Sequence, residues 1–279
     1  MATSDLPTVT LPSGQKVPQL GQGTWHMGES ARRRGEEVAA LKLGLDRGMT
    51  LIDTAELYAD AELVVAEAIK GRRDECFIVT KVLPENSTRA RTIAACERSL
   101  KRMRLERIDL YLLHWRGGVR LSETFEAFHR LREAGKIADF GVSNFDAGDM
   151  EEAAGLDKGL TGTNQVLYCL SRRGPEYDLL PWMRKRSIPL MAYSPLDQGR
   201  LLGNATLKKL AGDLRCTPAQ LALAWVLAQP GVVTIPKSMT RERVKENLSA
   251  VDIKPSTEVL AELDRAFPPP KAKQALQML

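Results

Sequence analysis

A (β/α)8 TIM barrel, an α/β fold of eight strand-helix units with a β-hairpin in front of it, is what this sequence predicts. Three observations lead there. Short apolar runs alternate with helical periodicity eight times, polar residues crowd one end of every run, and 279 residues is near the usual size of such a barrel. The runs are LGQGTW at 20–25, MTLID ending at Asp53, CFIVTK ending at Lys81, IDLYLLH ending at His114, IADFGVSN ending at Asn144, TNQVLY around Gln165, IPLMAYS ending at Ser194 and VVTIPK ending at Lys237. Parallel strands in a barrel deliver their end residues to one face, so these side chains converge on a common site.

The elements follow in order. TVTLPSGQKVPQLG reads as two short strands around a Pro-Ser-Gly turn. Helical periodicity covers 35–48, 61–71, 88–104, 122–134, 146–155, 177–187, 217–229 and 240–250. Ser122, ahead of ETF, offers a side-chain acceptor at a helix start, and Thr217-Pro218 places a cap residue before a first-turn proline. Gly48, Gly71 and Gly135 follow helices as left-handed stops. Residues 194–210 form a long strand-to-helix connection at the catalytic end, the kind of loop that carries function. An amphipathic stretch at 256–266 precedes PPPKAKQALQML, whose three prolines forbid a continuing helix. No low-complexity tract or linker divides the chain, and residues 1–279 read as a single domain.

Composition narrows the function classes. Lys and Arg number 40 against 35 Asp and Glu, a net charge of +5, and the cations are dispersed. Nucleic-acid binders carry a basic stripe, so this balance argues against nucleic acid and suits a small phosphorylated ligand. Cys76, Cys96, Cys169 and Cys216 are widely spaced, without a CxxC pair or a metal spacing, which favours reduced thiols in the cytoplasm. MATSDLPTVT lacks a basic segment followed by an apolar one, and no window approaches the roughly 18 apolar residues of a membrane span. The expectation is a cytoplasmic protein with no membrane partner.

Four residues carry the chemistry. An Asp after an apolar run can simply cap a loop in water, but Lys81 ends the near-continuous apolar run FIVT and needs a counter-charge, which Asp53 on the neighbouring strand supplies. Alone, that pair is equally a structural salt bridge. Tyr58 adds a function: a phenol of ordinary pKa about 10 becomes a usable acid beside a cation that stabilises its phenolate, and Lys81 is that cation. His114 ends a strand ahead of Trp115, and its ring can hydrogen-bond a substrate oxygen. A proton donor, its tuning pair and an orienting imidazole are the parts needed to protonate a carbonyl as hydride arrives. Trp25 and Trp115 sit at strand ends, where they line an apolar pocket or pack in the core.

DTAELY, Lys81 and LLHW resemble the tetrad signature of the aldo-keto reductase superfamily, and GVSNF, NQVLY, AYSPL and IPKSMTRERVKEN resemble its other blocks in the same order. The resemblance runs over essentially the whole chain. Among subgroups it is most similar to bacterial members that reduce methylglyoxal and related small aldehydes, which share the TNQVLY and YDLLPW phrases. The resemblance implies NADPH-dependent reduction of a small-molecule carbonyl by a monomer or weak oligomer, with Tyr58 as general acid, Lys81 and Asp53 tuning it and His114 orienting the carbonyl. It also implies that Ser143, Asn144 and Gln165 hold the nicotinamide carboxamide, that Tyr193 stacks on the ring, and that Thr24 belongs to the cofactor site. Ser194, Leu196 and Gln198 would lie beside the pyrophosphate, Lys237, Ser238 and Arg243 at the 2′-phosphate, and Glu246 and Asn247 at the adenine. On its helix face alone, Asn247 would read as an ordinary solvated residue.

Departures from the family pattern bear on specificity. The segment ADAELVVAEAI after Tyr58 is shorter than in the close subgroup, with Ala66 where Gly is usual, and Cys169 stands where His or Asn is common. Both are expected near the substrate side. The long C-terminal extension that covers the pocket in many mammalian members is missing, which suggests a more open site. Gly21-Gln22-Gly23 begins a GxG without a third glycine and precedes Trp25 rather than a helix, so a Rossmann fold does not fit. His129 and the Arg32–Arg34 run read as surface positions. Two competitors remain. A metal-dependent barrel hydrolase would use Asp53 and His114 as ligands, but His26, His114 and His129 supply zinc poorly and form no paired motif. A nicotinamide-holding redox sensor, like the potassium-channel β subunits of the family, would show slow turnover with tightly held cofactor.

Overall fold

The computed structural model describes residues 6–157 and 159–279. Strands β1 (Thr8–Thr10) and β2 (Lys16–Pro18) pair antiparallel as the expected hairpin. Eight further strands follow: β3 (Gln22–Gly23), β4 (Leu51–Asp53), β5 (Phe77–Val82), β6 (Ile108–Leu113), β7 (Ile137–Ser143), β8 (Thr161–Leu167), β9 (Leu190–Tyr193) and β10 (Val232–Thr234). They pair in parallel in sequence order. The helices are α1 (Arg34–Asp46), α2 (Ala61–Ala68), α3 (Arg89–Met103), α4 (Leu121–Glu133), α5 (Ala147–Asp157), α6 (Leu179–Lys185), α7 (Ala205–Asp213), α8 (Pro218–Leu227), α9 (Arg241–Ser249) and α10 (Thr257–Ala266).

The barrel closes between its first and last strands. Gly21 N donates to Thr234 O at 2.8 Å, Thr234 N to Gln19 O at 2.7 Å and Gly23 N to Pro236 O at 3.1 Å, with parallel bridges Leu20–Thr234 and Gly23–Lys237. This seam explains the Gly21 and Gly23 pair that resembled half of a nucleotide-binding motif. A Cβ on Gly23 would stand 2.6 Å from Ile235 O, and one on Gly21 2.7 Å from Leu51 Cδ2. Glycine lets the two strands meet.

Alternation along each strand sorts side chains between the barrel lumen and the helical coat. Leu51, Phe77, Val79, Leu110, Leu112, Met191, Val233 and Ile235 form one buried apolar cluster, which Leu11 and Val17 of the hairpin join from below. Ile52, Ile78, Val82, Tyr111, Leu113, Phe140 and Val142 point the other way, into the cluster built by α1 to α4. Truncating a fully buried lumen residue such as Leu112 to Ala costs about 2–5 kcal/mol. Continuing the lumen periodicity by two residues leads from Leu51 to Asp53, from Val79 to Lys81, from Leu112 to His114, from Met191 to Tyr193 and from Ile235 to Lys237. The apolar plug thus ends in a layer of functional groups at the C-terminal mouth.

Two local expectations need correction. Residues 194–210 are not a plain connection: α7 begins at Ala205, with Asn204 capping it by accepting from Leu207 N at 3.0 Å. Helix α4 starts one residue before Ser122 and has no side-chain cap, because Arg120 occupies the cap position. Elsewhere the signals hold. Thr217 and Gln220 form a reciprocal capping box on α8 behind Pro218, and Gly48, Gly71 and Gly135 are left-handed, with φ of +87°, +76° and +69°. Among the described residues no helix is long and apolar enough to cross a membrane.

Candidate active site

Lys81 is fully buried, and its surroundings are built for an ammonium. Nζ donates to both carboxylate oxygens of Asp53, at 2.9 and 2.8 Å, and to Thr54 O at 2.8 Å. The Tyr58 hydroxyl lies 3.4 Å from the same nitrogen. Asp53 is held further by Gln165, whose Nε2 donates to Oδ1 at 2.7 Å, and its backbone carbonyl accepts from Thr24 Oγ1 at 2.9 Å. Burial pushes the Asp53 carboxyl up and the Lys81 ammonium down, while each partner's charge opposes the other's shift.

The phenol does not follow the simple expectation that Lys81 lowers its pKa. Burial, and after it the Asp53 carboxylate, hold Tyr58 well above the ordinary tyrosine value. Burial disfavours the phenolate most, and because Asp53 lies against the lysine on both carboxylate oxygens the phenol also faces a buried pair rather than a free cation. Tyr58 therefore stays protonated at neutral pH.

His114 closes the other side, its ring 5.8 Å from that of Tyr58 in an edge-to-face arrangement and 4.7 Å from that of Trp115. Burial, and then the nearby Lys81 charge, push its pKa down to about 3, so the ring is neutral. Nδ1 is buried, and among the described residues it has no hydrogen-bond partner. With no acceptor at Nδ1, the ring is free to carry its proton on Nε2.

These groups stand on a pocket of about 360 Å³ at the barrel mouth. Asp53, Tyr58, His114, Trp25, Trp115, Thr24, Ser143, Asn144, Gln165, Tyr193, Ser194 and Lys237 all line it. Asn144 is left-handed at φ +58°, a conformation Asn tolerates, and its amide nitrogen donates to His114 O at 3.0 Å and to Ser143 Oγ at 3.2 Å. Tyr193 OH donates to Asn144 Oδ1 at 3.1 Å. Lys237 stands opposite Gly23 on the seam, and partial desolvation pushes its ammonium down although its side chain still reaches solvent.

Other predicted residues lie off this wall. Leu196 packs against the helical-side core, and Gln198, left-handed and exposed, is bonded by Arg200. Ser238, Arg243, Glu246 and Asn247 gather beyond Lys237 at α9. Asn247 Nδ2 donates to Ser238 Oγ at 2.7 Å, Arg243 pairs with Glu246 at 2.5 Å, and Glu246 accepts from Thr217 Oγ1 at 2.8 Å. Asn247 is buried, not solvated, because it ties α9 to the loop before it. Cys169, expected near the substrate side, is wholly buried in the core and is not part of the pocket wall.

Five lining residues were not among the sequence candidates: Gly23, Leu57, Ile235, Met278 and Leu279. Leu57 and Ile235 were within reach, one beside Tyr58 and the other two residues before Lys237. Met278 and Leu279 carry no local signal, and they correct the expectation of a more open site. The segment after the prolines doubles back along the β8 loop, held by Lys273 to Asp178 at 3.4 Å and by Arg172 to Gln277 at 3.2 Å, and brings its last residues onto the pocket.

Comparison with known proteins agrees with this geometry. The model of the aldo/keto reductase family matches residues 19–267. The chain is 49% identical to the methylglyoxal reductase YeaE of Escherichia coli, over 94% of this chain and 95% of that one, and 36% identical to a glyoxal reductase of Bacillus subtilis, over 95% and 94%. Its fold superposes with a TM-score of 0.95 on an aldo/keto reductase from Klebsiella pneumoniae in complex with NADP and acetate, 48% identical, covering 98% of this chain and all of that one. A tyrosine, lysine, aspartate and histidine at the mouth of an eight-stranded barrel, with a family match spanning nearly all of it, leave one conclusion: the chain belongs to the aldo/keto reductase family.

Proposed function

We propose that this reductase acts on small aldehydes, reactive dicarbonyls such as methylglyoxal foremost, with NADPH as reductant and Tyr58 as proton donor. The observation that carries the reading is the buried Asp53 and Lys81 pair, 3.4 Å from the Tyr58 hydroxyl on the wall of a small pocket. The methylglyoxal and glyoxal reductases similar to this chain support the substrate class.

Each residue has a task. Tyr58 keeps its proton at neutral pH and faces the pocket. As that proton leaves, charge develops on an oxygen beside Lys81 Nζ, so the ammonium favours the transition state more than the resting phenol. His114, neutral and able to donate from Nε2, aligns the carbonyl oxygen. Trp25, Leu57, Trp115 and Ile235 make the wall apolar and exclude water. NADPH supplies the hydride. The residues present fit it: Lys237 is a cation on the pocket wall that reaches solvent, where an anionic group would meet it, and Ser143, Asn144 and Gln165 line the pocket with the Tyr193 ring.

The hydrolase alternative is weakened because both Asp53 oxygens are already engaged by Lys81 and Gln165. We read the whole chain as one reductase domain that acts in the cytoplasm as a monomer or weak oligomer; its four free thiols support the compartment. A panel of aldehydes and ketones, followed by loss of NADPH absorbance, tests the function. Methylglyoxal and other small aldehydes should give the highest kcat/KM, unaffected by EDTA. Turnover that stays slow on every carbonyl, with tightly retained cofactor, would move the assignment to a redox sensor.

A further inference from the structure

The loop that carries Tyr58 is short, strained and clasped from outside. It joins β4 to α2, and Ala59, the residue after Tyr58, has φ +28°, a conformation L residues rarely adopt. Tyr58 meets Lys81 at 3.4 Å, long enough that a few tenths of an ångström would break the contact. Something must hold this loop in register.

Two arginines on α3 reach it. Arg98 and Arg102 are four residues apart and so share one helix face. Arg98 lies 3.3 Å from Glu56 Oε2, two residues before Tyr58. The other oxygen of Glu56 accepts from Leu83 N at 2.7 Å and Asn86 Nδ2 at 3.0 Å, in the segment just after Lys81. Glu56 N also donates to Lys81 O at 3.2 Å. Arg102 acts on the far side of Tyr58: its Nη2 donates to Ala59 O at 2.7 Å and to Asp60 Oδ1 at 3.3 Å. Its Nε lies 3.0 Å from Glu62 Oε2, an ion pair without hydrogen-bond alignment. Glu62 is 1% exposed, and its other oxygen accepts from Thr80 Oγ1 at 3.0 Å, on the residue next to Lys81. Glu56 and Glu62 thus tie the Tyr58 loop to the strand that carries Lys81 and the segment after it, and the two arginines fasten the loop and those glutamates to α3.

We propose that Arg98 and Arg102 are positioning residues that clamp residues 56–62 from both sides and fix the Tyr58 hydroxyl against Lys81 and His114. The proposal rests on the reading of Tyr58 as proton donor and deepens it. Neither arginine touches the pocket. Their effect passes through the loop, and it should appear in the chemical step rather than in cofactor binding.

The test measures kcat, KM and NADPH affinity, the last by fluorescence titration, for Arg98→Ala, Arg102→Ala, Arg102→Lys, Tyr58→Phe and the double variant Tyr58→Phe/Arg102→Ala. Misplacing a catalytic group by about 1 Å costs on the order of 10²-fold, so Arg102→Ala should lower kcat by roughly 10- to 100-fold. Arg98→Ala should lower it less, Arg102→Lys should restore part of the loss, and NADPH affinity should hold within about twofold. In the Tyr58→Phe background, removing Arg102 should cost little more, since both changes disable the same group. An equal loss with and without Tyr58 overturns the proposal, as does unchanged kcat in both arginine variants. Should Arg102→Ala fail to fold by circular dichroism, Arg98→Ala and Arg102→Lys carry the same cycle. If Tyr58→Phe alone retains near wild-type turnover, the proton-donor reading itself falls, and the clamp with it.

Discussion

The two ends of the barrel use the same residue types for opposite purposes. At the base, Asp139 Oδ2 accepts from Ser13 Oγ of the hairpin at 2.5 Å, and Asp109 Oδ2 accepts from Ile78 N at 2.7 Å while pairing with Arg73 at 2.8 Å. These carboxylates are satisfied by backbone, hairpin and surface guanidinium. At the mouth, Asp53 and Lys81 are satisfied chiefly by each other, beside a neutral imidazole with an unpartnered nitrogen. The base also holds the larger hollow, about 840 Å³ against about 360 Å³ at the mouth. Size therefore does not mark the active site. What marks it is a set of buried polar groups committed to one another while still facing open space.

The sharpest way to break the contrast is Tyr58→Phe, which keeps the ring and removes the proton. Carbonyl reduction should fall by about 10²–10⁴ with NADPH affinity intact. A variant retaining more than about a tenth of wild-type turnover, with chemistry limiting, would remove Tyr58 as the acid.

Next in size is a matched pair of substitutions. Lys81→Met strands the Asp53 carboxylate in the interior and should cost about 3–5 kcal/mol of stability as well as activity. The deficit should shrink as pH falls and Asp53 takes up a proton. Asp139→Ala at the base, where Asp139 is 6% exposed but its partner Ser13 reaches water, should cost only about 0.5–1.5 kcal/mol while kcat stays unchanged. Urea denaturation and steady-state kinetics on both variants separate the two ends.

Arg243→Ala should weaken NADPH binding by roughly ten- to a hundredfold and leave NADH little changed, because a guanidinium holds a phosphate by charge-assisted hydrogen bonds. Arg243 is 66% exposed, and its partner Glu246 is itself bonded to Thr217. An equal loss for both cofactors in a fluorescence titration would assign Arg243 to the α8–α9 contact instead.

The smallest effect comes from pH. His114 has its folded pKa near 3 and an unfolded value near 6.5, so the unfolded chain binds the extra proton between those limits. Its contribution to stability is complete above pH 6.5 and is lost as pH falls toward 3, amounting to about 1 kcal/mol already at pH 6. His114→Asn should flatten that part of the stability profile measured between pH 8 and pH 5.

Much of the mouth was legible in the sequence because strand alternation is rigid: once Leu51, Val79 and Leu112 point inward, Asp53, Lys81 and His114 must as well. Loops and tails obey no such period. Gln165 reads as a cofactor contact, yet its amide in this structure is bonded to Asp53, a partner 112 residues away that no local pattern announces. Met278 and Leu279 reach the pocket through a path set by Lys273 and Arg172 contacts, which are tertiary. Asn247 misleads for the same reason, since a polar residue on a helix looks solvated until the neighbour that buries it is known. Helix α7 is different. Its Leu207, Leu210 and Ala211 spacing is regular and only the preceding turn obscured it.

The glycine seam between the first and last barrel strands has a consequence for how the protein is made. Contacts between distant segments must overcome the entropy of the chain that separates them, and a ring of parallel strands is complete only when its two ends meet. Without the pairing of Gly21 and Gly23 with Thr234 and Pro236, the ring would keep two open edges. A ring left unjoined there would be expected to give Lys81 more water-like surroundings, and its pKa would move back toward the ordinary lysine value.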